Sequence, residues 1–341
     1  MNNRSECLSM ESNLSGKRVL FIAPMFFGYE KLIKSELEAK GAEVDYFNDR
    51  PDNTFLTKSL VRIDRRLLSK KTNSYYDDII SSTSNHPYDY ILVVRGEAIS
   101  KQSLQKLRKV QPKAQLCLYL WDSMYYNPNA RNILSEFDKV FSFDRSDVEQ
   151  NAQISFLPLF YGKEFDRSAE CKGEPIYDAC FIGTIHTDRY KVLEKILDGL
   201  RSGGYSVFVF CYYPSKLLYR LRAFIDPGFR RFGKKYVSFV GMKLPEVVDK
   251  IAQSRAVIDV NRPDQLGLTM RSLEAVGAQR KLITTNADIT NYDIFSPESV
   301  LVVDREYPAI DEKFLLQDGL PFAENIRDQY SVSAWVDRIF Q

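Results

Sequence analysis

Short, nearly continuous apolar runs separated by stretches of helical spacing recur along the chain, and this alternation limits the folds open to it. Lys17-Arg-Val-Leu-Phe-Ile-Ala-Pro24 is the first run, and Tyr29 to Lys40 has helical spacing and stops at Gly41. Further runs stand at Glu43–Phe47, Tyr88–Val94, Gln115–Trp121, Lys139–Phe143 and Ser155–Pro158. Helical stretches lie between them at 56–82, near 100–110 and at Asn129–Phe137. A strand with one face in water alternates polar and apolar residues. Most of these runs do not, so both faces must be covered, as in a parallel sheet wrapped by helices.

A polar, charged stretch at 162–175 reads as a linker, and the alternation then restarts. Tyr177–Gly183, Tyr205–Tyr212, Val237–Val240, Ala256–Val260, Lys281–Thr285 and Val300–Val303 are its apolar runs, with a helix at Asp188–Leu200. Glu324–Phe340 has the spacing of an amphipathic helix. The predicted architecture is α/β: two tandem doubly wound, Rossmann-like domains at 17–161 and 176–323. Residues 1–16 are read as a flexible leader, and the helix at 324–341 is expected to pack back on the first domain. A length of 341 residues suits two domains at roughly 150 residues each. Such sheets bind ligands beyond the carboxyl ends of their strands, so the cleft between the domains is the expected site.

Composition removes several alternatives. Hydrophobic residues at 44% and charged residues at 27% exclude a fully disordered chain, and a net charge of +2 gives no global reason to expect nucleic acid. The five cysteines are scattered without a C-x-x-C pair, and only His86 and His186 could join them. No zinc site is expected, and the thiols read as reduced. No apolar run reaches 18 residues and the polar N-terminus has no apolar signal core, which predicts a cytoplasmic protein.

The most informative stretch is Gly267-Leu-Thr-Met-Arg-Ser-Leu-Glu-Ala-Val-Gly277, followed by Lys281-Leu-Ile-Thr-Thr-Asn286. Gly267, Leu268 and Thr269 form a turn that opens a helix, whose free N–H groups and dipole favour an anion such as a pyrophosphate. Arg271 can add a charge-assisted bond to phosphate. Glu274, three residues on along the same face, can accept ribose hydroxyls or simply pair with Arg271. Gly277 reads as the helix stop. Gly183 and Thr184 end another strand, and Arg189 stands at the start of the helix after it. That is a second phosphate candidate, with Asp188 as a helix cap and Arg189 as a solvated charge as the alternative.

These residues resemble the donor-binding signature of GT-B glycosyltransferases, and most nearly the CgeB-like and O-antigen or capsule-cluster types. Phe239-Val-Gly241, Leu244-Pro-Glu246 and Ala256-Val-Ile-Asp-Val-Asn261 resemble the nucleobase loop and the strand before that signature. The resemblance runs in register from Val237 to Asn286, while the first domain matches only in its alternation. It implies a nucleotide-sugar donor, a UDP-sugar first, with no metal and no bound cofactor. Gly241, Asn261, Gly267, Leu268, Thr269, Arg271, Glu274, Gly183, Thr184 and Arg189 are then the donor-binding residues. Many retaining members carry an acid eight positions before the ribose Glu. Here Leu266 stands there, with Asp264 out of register, which leaves inverting and retaining chemistry open.

Three strand ends of the first domain carry polar residues: Arg95-Gly-Glu97, Trp121-Asp-Ser123 and Asp144-Arg-Ser-Asp147. An inverting transferase needs a base for the acceptor proton. Asp122 is the first candidate, because Trp121 would desolvate it, with a cap on the next helix as its equal alternative, and Glu97 is the second. Asp144 reads better as a helix cap. In Met25-Phe-Phe-Gly-Tyr29 the rings Phe27 and Tyr29 flank Gly28, and they can stack on a sugar or equally belong to the core. With Arg95 and Trp121 they make up the acceptor candidates.

Residues 213–236 hold seven basic residues and one acid, with Leu and Phe interleaved. Such a segment suits an anionic membrane surface or an ordinary solvated helix face. The function expected is transfer of a sugar to a saccharide acceptor, lipid-linked, in bacterial surface polysaccharide assembly at the inner face of the membrane. A nucleotide-sugar epimerase or hydrolase on the same fold and a non-catalytic two-lobed binder are the alternatives.

Overall fold

The computed structural model describes residues 14–51, 69–169, 174–185, 188–317 and 322–341. Most of the expected leader, residues 56–68 of the first long helical stretch, residues 170–173 of the expected linker, and His186 lie outside them. In chain order the strands are β1 Arg18–Ala23, β2 Glu43–Asn48, β3 Tyr90–Val94, β4 Gln115–Leu120, β5 Lys139–Ser142, β6 Ile154–Phe156, β7 Tyr177–Thr184, β8 Val207–Tyr212, β9 Val237–Ser238, β10 Ser254–Asp259, β11 Lys281–Thr284 and β12 Val300–Val302. The longer helices are α1 Tyr29–Ala39, α2 Ser69–Thr83, α3 Lys101–Val110, α4 Arg145–Gln150, α5 Lys163–Ala169, α6 Arg189–Ser202, α7 Lys216–Ile225, α8 Pro227–Tyr236, α9 Leu244–Ala252, α10 Met270–Gly277 and α11 Val332–Phe340.

The chain forms two compact units, 1–158 with 332–341, and 159–331. In the first, six parallel strands run in the order β2-β1-β3-β4-β5-β6. Apolar side chains of β1, β3 and β4 are buried on both faces of the sheet, which is why those segments read as unbroken apolar runs. Helix α11 belongs to this unit. Trp335 lies edge-on to Tyr119 at 4.7 Å, Phe340 to Tyr90 at 4.8 Å, and Asp337 pairs with Lys40 at 2.8 Å.

The second unit carries six parallel strands in the order β12-β11-β10-β7-β8-β9. Chain order reverses between β1 and β3 in one sheet and between β7 and β10 in the other. At such a point adjacent loops leave in opposite directions and open a crevice at the carboxyl edge. Two details differ from the sequence expectation. The single helix expected at 324–340 breaks at Ser331, whose extended backbone forms a bridge with Tyr161, while the Tyr161 amide donates to Tyr330 O at 2.9 Å. The stretch read as a linker contains α5.

Gly277 does not stop its helix by a left-handed turn. That conformation falls on Gln279 (φ 54°), whose side-chain amide exchanges bonds with the backbone of Phe322. Gly277 is small because a Cβ there would stand 2.5 Å from the Tyr161 ring. Gly277→Ala is therefore expected to cost about 1–3 kcal/mol through overpacking. Urea denaturation would read this as a lower midpoint, and an unchanged midpoint would show that the ring moves aside freely.

Candidate active site

The second unit concentrates arginines at the carboxyl edge of its sheet. β7 ends in Gly183-Thr184, and Arg189 follows at the start of α6. Arg262 follows β10, and Arg305 follows β12. Arg189 donates to Thr184 O at 2.9 Å, while its Nε is buried with no hydrogen-bond partner among the described residues. Gly183 leaves room beside it: a Cβ there would meet Phe181 at 3.2 Å and the Arg189 guanidinium at 3.8 Å. Burial pushes Arg189 down to about 10, with Arg262 and Arg305 acting in the same direction and Asp259 and Asp188 opposing. The charges of Arg262 and Arg305 are thus felt at Arg189, beside the switch point of this sheet. Asp188 and Asp259 offset part of this positive charge, and a bound anion would offset more of it.

The surrounding polar groups are tied together. Arg305 donates to Asn261 O at 3.0 Å, to Thr285 Oγ1 at 3.1 Å and to both oxygens of Asp188 at 3.0 and 3.2 Å. Asp188 therefore serves Arg305, and its side chain makes no cap bond to α6. Asn261 also accepts from Thr285 Oγ1 at 2.7 Å, and Asn286 donates to the backbone carbonyls of Leu266 and Gly267. Buried Asp259 accepts from Thr269 Oγ1 at 2.8 Å and Ser272 Oγ at 2.7 Å, while Thr269 Oγ1 accepts from the Ser272 amide at the start of α10. The turn Gly267–Thr269 is thus anchored on β10 and β11. Glu274 is 1% exposed and pairs with Arg271 at 2.5 Å. The pairing of the two residues is what the contact shows; a ribose would have to share the Glu274 carboxylate with Arg271. Gly241 stands in the loop between β9 and α9, whose start is closed by the Lys243 amide donating to Glu246 at 2.7 Å.

At the carboxyl edge of the first sheet the expected residues fall into two groups. One is charged. Arg95 reaches Asp122 at 3.2 Å and Glu97 at 3.3 Å, and Arg50 also pairs with Glu97. Asp122 accordingly lies against a guanidinium, where the sequence pointed to desolvation by Trp121. Arg95 itself has a left-handed backbone (φ 72°), and Gly96 follows it in the same region (φ 61°). Strain of this kind persists only when neighbours fix it. Asn127 Nδ2 donates to Arg95 O at 2.7 Å and Asn129 Nδ2 to Gly96 O at 2.8 Å, which supplies that restraint. Asp144 caps α4, accepting from the Ser146 amide at 3.0 Å.

The other group is aromatic. Phe26 packs on Phe27 at 4.7 Å, Trp121 at 5.9 Å and Tyr29 at 6.4 Å. Phe27 is left-handed (φ 52°) and still 51% exposed, ahead of Gly28 (φ 88°). The loop is held from beneath, where the Phe26 amide donates to Glu30 at 3.1 Å and the Met25 amide to Asn48 at 3.3 Å.

Sequence reasoning missed Asp49, Arg50 and Arg305. Each follows a strand, and the rule that singled out Arg95 would have found them. Asp49 is fully buried and accepts from Tyr76 Oη at 3.0 Å. Burial pushes its carboxyl from 3.8 up to about 6; Arg50 opposes the shift and Glu97 adds to it. A folded-state value above the unfolded one means that the folded chain holds this proton more tightly. The stability Asp49 contributes is thus full below about 3.8 and lost as pH rises through about 6. Relative to Asp49→Asn, the native chain is expected to lose roughly 2 kcal/mol between pH 4 and 7, at 1.36 kcal/mol per unit. Urea denaturation across that range checks this, and a difference that stays flat would contradict it.

No protein-family model matches the sequence, and no curated protein does. Solved structures do. A trehalose-6-phosphate structure from E. coli bound with UDP-2-fluoro glucose is 13% identical over 95% of this chain and 99% of its own, with a TM-score of 0.62. An Anabaena protein in complex with UDP and glucose is 11% identical over 95% and 98%, at 0.56. The fold is GT-B. A Listeria monocytogenes protein proposed to be a UDP-N-acetylglucosamine 2-epimerase shares this architecture at 12% identity, over 94% of both chains, at 0.51. The GT-B frame alone therefore does not separate transfer from epimerisation.

Proposed function

We propose that the chain is a glycosyltransferase that takes a sugar from a nucleotide-diphosphate donor, a UDP-sugar, and passes it to a saccharide acceptor. The observation that carries this reading is Arg189 just after β7, its Nε buried and without a hydrogen-bond partner among the described residues, with Arg305 tied to the neighbouring Asp188. A diphosphate supplies the missing acceptors. Thr184 and the helix turn Gly267–Thr269 add neutral donors beside it. UDP-bearing structures on the same fold support the choice of nucleotide. Ribose binding falls to Glu274 within its Arg271 pair, and the base to the loop near Gly241.

In transfer the bond between the sugar's anomeric carbon and the phosphate oxygen breaks, and negative charge grows on the diphosphate. Fixed guanidiniums stabilise that charge without reorganising, and they do so without a metal. The acceptor hydroxyl gives its proton to a carboxylate, Asp122 in preference to Glu97, since Asp122 is the more exposed and Glu97 is held by two arginines. The exposed ring of Phe27 and the half-buried rings of Tyr29 and Trp121 suit the apolar face of a sugar acceptor, which an epimerase does not need. The finer assignment is a lipid-linked acceptor in surface polysaccharide assembly at the inner face of the membrane. It rests on the sequence resemblance to O-antigen and capsule-cluster enzymes.

A thermal-shift panel of nucleotides and nucleotide-sugars tests the reading. Ligand that binds only the folded state must raise the melting temperature, by about 2.7 kcal/mol of stability at a hundredfold excess over Kd. UDP and UDP-sugars are expected to do so and uridine to do much less. A panel with no response to any nucleoside diphosphate would remove the donor site.

A further inference from the structure

Among the described residues no helix is long and apolar enough to cross a membrane. Helix α7 nevertheless turns apolar residues outward. Leu217, Leu218, Leu221, Phe224 and Ile225 are between 39% and 85% exposed. At about 100° per residue they fall within one arc of about 120°. Arg220 borders that arc on one side and Arg222 on the other. The opposite face of α7 is already used: Ala223 is buried, and Tyr219 packs on Phe229 at 5.4 Å and on Phe239 at 5.3 Å. The core therefore has no use for the outer arc.

The next helix divides its residues the other way. α8 buries Phe229 and Phe232 and exposes Arg230, Arg231, Lys234 and Lys235. Asp226, the one acid between 213 and 236, is committed within the fold. It caps α8 through the Phe229 amide at 3.0 Å and accepts from Tyr190 Oη at 2.5 Å. Seven cations against that acid give a local charge of +6, in a chain whose total is +2.

We infer that α7 and α8 form a docking surface for a membrane rich in anionic lipid, with the Leu217–Ile225 arc entering the acyl boundary and the cations meeting the headgroups. The two features together select this partner. A basic face alone would accept any polyanion, and nucleic acid offers no apolar phase for an outward arc of leucine, isoleucine and phenylalanine. Anionic bilayers offer both layers at the depth an amphipathic helix occupies. This inference deepens the membrane placement of the proposed function and does not require a nucleotide site.

Sedimentation of the whole protein with lipid vesicles, without donor or acceptor, tests it. Vesicles of phosphatidylcholine with phosphatidylglycerol are expected to bring the protein down, phosphatidylcholine alone to bring down far less, and added salt to release it. Leu221→Ser with Phe224→Ser replaces side chains that already face water, so the melting temperature should hold while vesicle affinity falls about tenfold or more. Lys234→Gln with Lys235→Gln is expected to weaken binding to the anionic vesicles only. Equal binding to both vesicle types, no binding to either, or full binding by the Leu221/Phe224 variant would overturn the inference. So would a dimer in analytical ultracentrifugation that this variant dissociates, because the arc would then serve a second copy of the chain. None of these outcomes bears on nucleotide binding, so the two readings stand or fall separately.

Discussion

Asp122→Asn is expected to lower turnover by about 10²–10⁴-fold, the usual contribution of a positioned general base, with donor affinity changed by less than about twofold. The amide is nearly isosteric and keeps an oxygen for Arg95, which holds the present carboxylate at 3.2 Å. What it loses is the ability to take a proton. Glu97→Gln should be milder in turnover but costlier in stability, because Arg50 and Arg95 both rest on that carboxylate. If Asp122→Asn keeps near-full turnover and Glu97→Gln abolishes it, the roles exchange. If both stay active, transfer proceeds without a protein base, and the anomeric configuration of the product, read by NMR, then separates retention from inversion.

Arg189→Ala is expected to weaken UDP binding by about 10- to 150-fold, since hydrogen bonds to charged groups contribute about 1.5–3 kcal/mol. Uridine, which has no phosphate, should lose less than about twofold. Arg189→Lys keeps a charge but not the planar fork, and should recover part of the loss. Calorimetric titration of both ligands decides this. Equal losses for UDP and uridine would show that Arg189 does not touch phosphate and acts only through Thr184 O, its partner at 2.9 Å.

The architecture was legible because strands buried on both faces cannot hide polar residues. Every apolar run proposed from the sequence contains a strand, with ends that differ by a few residues. Val237–Val240 shrinks to Val237–Ser238, since this edge strand has a single neighbour. Where side chains act on distant segments, less could be read in advance. Nothing in Gly277 points to the Tyr161 ring, more than a hundred residues earlier. The amphipathic pattern of 324–340 runs unbroken through Ser331, whose extended backbone is set by its bridge to Tyr161. Arg50 and Arg305 each follow a strand and were open to the rule that singled out Arg95, but their partners were not legible. Sheet order sets one beside Glu97 and the other between Asp188 and Asn261. The Arg271–Glu274 pair could be written down from its spacing, but its burial could not.

Hydrogen exchange of the intact protein with and without saturating UDP tests the central claim most directly, because it reads where the nucleotide binds as well as whether it does. Protection is expected in peptides covering Gly183–Arg189, Asn261–Arg271 and Thr285–Arg305, and to be reduced in Arg189→Ala at the same UDP concentration. Protection confined to other segments, or none at a concentration that raises the melting temperature, would contradict a donor site at the carboxyl edge of the second sheet.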